Sequence, residues 1–283
     1  MPNIFLIISS MMRLHAPTGY LLSFFPAAFG LLLAYEQSSN LLYIPVFFVG
    51  SILARGAGCI INDIFDQNLD RMVTRTEKRP LPSGMVTTKQ ALIILAVITS
   101  CCLFILLSLT VTAIAAGFIA FFLTVLYPLT KRVTYFPQAF LGLTFNMGCL
   151  IGYAAIKDSI SSDALILYLA CGFWTVAYDT IYAFMDIKDD KKIGIKSTAI
   201  FFEHKPYKLI ISLFYCAFFV LYLFSFRELL SIITVSAVIP CFVFSLWVII
   251  SLDVKNTNNC FYRFKANNYI GFILFFSLLL EKL

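Results

Sequence analysis

The stretch that decides the reading of this chain is "NDIFDQNLDRMVTRTEKRPLPSG", residues 62–84. It follows an apolar run that begins near Leu41. It carries Asp63, Asp66 and Asp70, then Arg71, Arg75, Lys78 and Arg79. The 283-residue chain around it is 60% hydrophobic and only 13% charged. Soluble domains are roughly 45–50% apolar and about 25% charged. The composition therefore indicates an integral membrane protein, and the charges of residues 62–84 need a reason to be there.

Apolar runs long enough to cross a bilayer, about 17–25 residues each, fall at 20–36, 41–61, 91–109, 111–129, 136–156, 164–184, 209–226, 229–251 and 267–281. The expected fold is an all-α bundle of about nine transmembrane helices. Eight is the alternative, because "SLTVT" (108–112) is a weak break. Strict alternation, the mark of a transmembrane barrel, is missing. With nine crossings, 17 of the 21 Lys and Arg residues fall on one side and 3 on the other, with Arg55 inside the second helix. The positive-inside rule makes the basic side cytoplasmic. The net charge of +6 then reports topology and not nucleic-acid binding.

Eight cysteines are scattered through apolar runs without a C-x-x-C, as small buried hydrophobes. Two histidines, His15 and His204, are too few for a usual zinc site. The start, "MPNIFLIISS", has neither a basic leader nor a small-residue cleavage site. A single domain over 1–283 is expected.

The acidic residues gather in two places on the same predicted side. On a helix continuing from the second crossing, Asn62, Asp66 and Asp70 repeat every four residues and share a face, with Asp63 at its margin. In "YDTIYAFMDIKDD" (178–190), Tyr182, Asp186 and Asp190 repeat the same way, with Asp179 close by. Asp66 and Asp190 are 124 residues apart, a hint of a duplicated four-helix unit. Like charges stacked on one face repel, and near a membrane they are costly. One reading is a pair of solvated, salt-bridged helix ends. The other is a divalent cation. Mg²⁺ takes oxygen ligands and shares its shell with substrate phosphates. Two facing carboxylate groups would then hold a metal-bridged diphosphate, with nearby Lys and Arg meeting its remaining charge. Pro80, Pro82 and Gly84 break any helix. Residues 67–90 are expected to form a short helix and a loop able to cap a cleft.

These residues resemble the UbiA family of membrane prenyltransferases. "GCIINDIFDQNLDRMVTRTEKRPLPSG" (58–84) resembles the family's N-D-x-x-D-x-x-x-D motif with its following R-T-x-x-R-P-L-P-S-G. "AYDTIYAFMDIKDDKKIGIKSTAIFF" (177–202) resembles its D-x-x-x-D motif in the long form of the hydroxybenzoate branch. "MRLHAPTGYLL" (12–22), "YPLTKR" (127–132) and "NNYIGFIL" (267–274) also match family segments in order. The resemblance implies a bundle around a central cavity open toward lipid, Mg²⁺, a polyprenyl diphosphate donor and an aromatic acceptor. It implies prenylation of 4-hydroxybenzoate ortho to its hydroxyl, a membrane step of ubiquinone biosynthesis. Alternatives are a sister branch with a haem or menaquinone-precursor acceptor, or a transporter. The compartment expected is a bacterial inner membrane, with a mitochondrial one as the alternative.

On this reading Asp66, Asp70, Asp186 and Asp190 hold the metal. Asn62, Asp63 and Asp179 complete or orient the site. Arg132 contacts the diphosphate, with Lys131, Arg71 and Arg79 near it. Tyr178 and Tyr182 are candidates to face an allylic cation. Arg55 lies seven residues before Asn62, about two turns along α-helical geometry. It is the candidate for the acceptor's carboxylate, with Arg13 as its rival.

Overall fold

A computed structural model describes residues 4–229 and 231–283. It is all-helical among them: α1 (Ile4–Met11), α2 (Pro17–Leu33), α3 (Tyr43–Asp70), α4 (Thr88–Leu107), α5 (Val111–Val133), α6 (Pro137–Phe145), α7 (Met147–Lys157), α8 (Ser162–Ala183), α9 (Ile187–Ile193), α10 (Thr198–Phe202), α11 (Tyr207–Ser225), α12 (Ile232–Ile250) and α13 (Thr257–Leu280). Among the described residues, seven helical stretches are long and apolar enough to cross a membrane. The expected nine differ from this at the two ends of the bundle. Helix α2 is apolar but has only 17 residues. Helix α13 has 24 residues but opens on the polar sequence TNNCFYRFKANN.

The weak break at 108–112 does separate two helices. Ser108 ends α4, and Thr110 caps α5 by accepting from the Ala113 amide. The Thr110 hydroxyl also donates to Ala154 O at 2.7 Å, tying this turn to α7. The run 136–156 is not one continuous helix. Asn146 interrupts it between α6 and α7. Its Nδ2 donates to Gly142 O at 2.6 Å and to Thr175 Oγ1 at 2.9 Å, so a side chain supplies what the helix ladder lacks.

The principal core lies where α2, α8, α11 and α13 meet. Phe25, Phe29, Trp174, Phe218 and Tyr222 are buried there, and the Trp174 and Phe218 rings stack with centroids 5.1 Å apart. Trp174 Nε1 and Tyr215 OH both donate to Asn267 Oδ1 at 2.8 Å, so these two donors are satisfied inside apolar surroundings. Helices α2 and α7 approach through small residues. A Cβ on Gly30 would stand 2.0 Å from Cys149 O, and one on Gly152 would stand 2.5 Å from Ala27 O. Close backbone approach of this kind holds helices together where lipid removes the hydrophobic drive between them.

Helix α3 outruns its apolar stretch and carries the first acidic motif to Asp70. The expected short helix after it is not formed. Residues 71–87 are a series of turns, as the two prolines and Gly84, at φ +79°, require. This loop is nevertheless packed. Leu81 and Val86 are buried against Met11, Ala57 and Ile60. Gln67 Nε2 donates to Leu81 O at 3.3 Å, and Arg71 Nε to Pro82 O at 2.9 Å.

Candidate active site

A cavity of about 630 Å³ opens among α2 to α8 and the 71–87 loop. Asn62, Asp66 and Asp70 line it from α3, as their four-residue spacing requires, and Asp179, Tyr182, Asp186 and Asp190 line it from the second motif. The second motif is not one continuous helix. Helix α8 ends at Ala183, and Asp186 is the residue before α9. The break does not separate the carboxylates from the cavity.

Each motif is met by cations. Lys131 Nζ stands 3.1 Å from both Asn62 Oδ1 and Asp66 Oδ2. Arg79 Nη1 donates to Asp70 Oδ2 at 2.9 Å and to Asp63 Oδ1 at 3.2 Å. Arg75 forks onto Asp186, with Nε to Oδ1 at 2.9 Å and Nη2 to Oδ2 at 2.5 Å, while its guanidinium lies 5.2 Å from the Tyr182 ring centroid. A residue of the first motif's loop thus clasps the second motif. Burial disfavours the Arg75 charge, but Tyr182 and Asp186 around it hold its pKa above the ordinary arginine value. Arg79 is lowered instead, by burial and by the neighbouring charge of Arg13. Asp190 is raised to about 7, by burial first and by Asp186 next.

Three predicted residues sit elsewhere than expected. Asp63 turns away from the cavity and is 1% exposed. It accepts from Arg13 Nη2 at 2.5 Å as well as from Arg79, and so anchors the N-terminal segment to the loop. Arg13 adopts φ +55° there, a region sparsely populated by non-glycine residues. Arg132 is half exposed and outside the cavity lining. It donates to Phe65 O at 2.9 Å and approaches Asp66 Oδ1 only to 3.6 Å. Arg71 serves as a brace within the loop.

Deeper in the cavity lie Arg55, Tyr127, Tyr178 and Asp179. Arg55 packs against Gly19, where a Cβ would come within 2.9 Å of its Nε, and its guanidinium lies 5.5 Å from the Phe145 ring centroid. Among the described residues it has no carboxylate within ion-pair distance. Between α4 and α5 the wall is apolar, with Leu103, Leu106, Phe118 and Phe121. Leu103, Phe118 and Phe121 are exposed, so this wall is apolar and accessible. Arg75, Tyr127 and Gln138 are cavity residues that the sequence reading passed over. Arg75 carried no local signal beyond being one more basic residue of the loop. Nothing local marked the other two either, because the place of all three follows from packing.

The fit to a hard cation can be tested on the donors. Asp66 Oδ1 is buried and accepts no hydrogen bond. An orphaned carboxylate oxygen is costly and a cation would satisfy it. Among the described residues, however, no three carboxylates, histidines or cysteines stand close enough to enclose an ion unaided. The set suits a cation that takes its other ligands from a bound phosphate.

Fold and cavity define a multi-pass membrane protein whose polar, carboxylate-walled chamber continues along an apolar wall. The chain belongs to the UbiA prenyltransferase family, whose model matches residues 23–279. It is 36% identical over 272 residues to a 4-hydroxybenzoate octaprenyltransferase of Blochmanniella pennsylvanica, covering 95% of this chain and 93% of that protein. It is 38% identical over 268 residues to one of Aliivibrio salmonicida, covering 93% and 92%. The fold matches a UbiA homolog from Aeropyrum pernix with a TM-score of 0.77 at 24% identity, over 93% of this chain and 98% of that one. It also matches a UbiA homolog from Archaeoglobus fulgidus bound to GPP and Mg²⁺, with a TM-score of 0.75 at 14% identity, over 98% and 99%.

Proposed function

We propose that this chain transfers a polyprenyl group from polyprenyl diphosphate to the ring carbon ortho to the hydroxyl of 4-hydroxybenzoate, a step of ubiquinone biosynthesis. The carrying observation is that both acidic motifs reach one cavity together with the lysine and arginines that pair with them, and that this cavity continues along an apolar wall. The similarity to 4-hydroxybenzoate octaprenyltransferases over most of their length supports the acceptor. The working compartment is a bacterial inner membrane, with the acidic motifs on the cytoplasmic side, as the Lys and Arg distribution favours.

Asp66, Asp70, Asp186 and Asp190 would hold Mg²⁺, which when bound neutralises the charge that develops on a departing diphosphate. Lys131, Arg75 and Arg79 already lie against these carboxylates, and can turn to phosphate oxygens as readily as to carboxylate oxygens. Tyr182 and Tyr178 present aromatic rings toward the cavity, where a ring quadrupole favours a cation. Arg55 meets the acceptor's carboxylate. The isoprenoid tail follows the Leu103, Leu106, Phe118 and Phe121 wall toward lipid, where its burial needs no polar partner.

The test is a membrane assay with 4-hydroxybenzoate, a polyprenyl diphosphate and Mg²⁺, alongside Asp66→Ala and Asp190→Ala variants. A ring-prenylated product that needs the metal and both carboxylates is expected. Prenylation of another aromatic acceptor in place of 4-hydroxybenzoate would move the chain to a sister branch of the family.

A further inference from the structure

Aromatic prenylation expels a proton, and the cavity offers few groups free to take it. Asp66, Asp70 and Asp186 are each held by a lysine or an arginine. Asp190 also makes no side-chain hydrogen bond or ion pair among the described residues, but it follows Asp186 at α9, at the diphosphate end of the site. Asp179 is different. It lines the cavity from the last turns of α8, and among the described residues its carboxylate makes no hydrogen bond and no ion pair. The positive charges that act on it are those of Arg55 and Lys131. Tyr178, beside it in sequence, is turned to Thr175 Oγ1 at 3.0 Å and leaves Asp179 unengaged. An unpartnered carboxylate in a membrane-embedded helix is costly, and facing the cavity is what lets it persist.

We propose that Asp179 is the base that removes the acceptor's proton, an inference that rests on the prenyl-transfer reading above. The allylic C–O bond of the donor breaks, and its electron pair leaves with the diphosphate. A π pair of the acceptor ring forms the new C–C bond at the carbon ortho to the hydroxyl. The hydrogen on that carbon passes as a proton to the Asp179 carboxylate, and the C–H pair restores the aromatic ring. No oxidant or reductant enters. Arg55, holding the acceptor's carboxylate on the para side, sets the ring so that its hydroxyl edge faces Asp179.

The experiment compares wild type with Asp179→Asn and Asp179→Glu, each checked for an unchanged thermal transition in detergent. It uses 4-hydroxybenzoate deuterated at the carbons flanking the hydroxyl, and a donor labelled with oxygen-18 at its bridging position. Loss of a positioned base costs roughly 100-fold or more, so Asp179→Asn should lose about that factor in transfer. Donor KM and Mg²⁺ dependence should stay near wild type. Bridge-to-non-bridge scrambling of the label should continue, because ionisation of the donor is intact. The deuterium isotope effect should rise as deprotonation becomes rate-limiting, and Asp179→Glu should recover part of the rate. Transfer by Asp179→Asn within a few-fold of wild type, or loss of scrambling together with transfer, would overturn the proposal. A wild type that scrambles donor label but never prenylates 4-hydroxybenzoate would refute the acceptor reading, and the base assignment with it. That failure is told apart by the wild-type control alone.

Discussion

Substituting Asp63 by Asn tests whether the first motif's second residue is an anchor and not a ligand. Asp63 is 1% exposed, with Arg13 Nη2 at 2.5 Å and Arg79 Nη1 at 3.2 Å on the same oxygen. Asparagine keeps the shape but removes the charge. Arg79 still has Asp70, at 2.9 Å. Arg13 is left without an ion-pair partner among the described residues. Removing one member of a buried pair costs about 3–5 kcal/mol. For chains of this size each kcal/mol moves the midpoint by roughly 2–4 °C, so a fall on the order of 10 °C is expected. The assay is thermal denaturation of detergent-solubilised protein, with Asp66→Asn as the comparison. Asp66 lines the cavity but is also buried and paired, with Lys131 at 3.1 Å, so its substitution should lower the midpoint by a similar amount while abolishing transfer. An unchanged midpoint for Asp63→Asn, with transfer lost as in Asp66→Asn, would refute the anchoring role.

Other expectations follow from the same geometry. Arg55→Ala should raise the KM for 4-hydroxybenzoate roughly tenfold or more, as loss of a hydrogen bond to a charged group of about 1.5–3 kcal/mol implies, with little change in donor KM; steady-state kinetics with each substrate varied will check it. Gly30→Ala places a Cβ 2.0 Å from Cys149 O, and should lower stability by at least 1–3 kcal/mol through forced separation of α2 and α7, read as a lower denaturation midpoint. Asp190 has its pKa raised to about 7 in the absence of a cation. Its contribution to the stability of the metal-free fold is therefore fully present below the ordinary carboxylate value near 3.8 and is lost as pH rises through about 7. Metal binding runs the other way: Mg²⁺ affinity should rise with pH up to about 7, and binding at pH ~6 should release close to one proton from Asp190. Titration calorimetry in buffers of different ionisation enthalpy measures that release, and Asp190→Asn should abolish it.

Much of this protein was legible before any coordinates. Long apolar runs can only be satisfied as helices in lipid, because every backbone donor must find a partner inside its own segment. The four-residue spacing of Asn62, Asp66 and Asp70 needed only helical geometry to put them on one face, and they line the cavity together. The places where local reading failed are those where the outcome depends on a distant neighbour. Helical phase puts Asp63 at the margin of the face that carries Asp66, but it does not say that Asp63 turns to Arg13 while Asp66 meets Lys131. The run at 136–156 has no proline after Pro137, and its interruption at Asn146 coincides with a hydrogen bond to Thr175 on another helix. Arg75 reads as one more basic loop residue until the fold carries it to Asp186, 111 positions away. Composition and spacing thus determined the membrane, the helices and the two acidic faces, because those rest on hydration and on the period of a single helix. Tertiary structure decided which carboxylates face the cavity, which cations neutralise them and which are left without a partner, because packing across helices sets distances that no local pattern encodes.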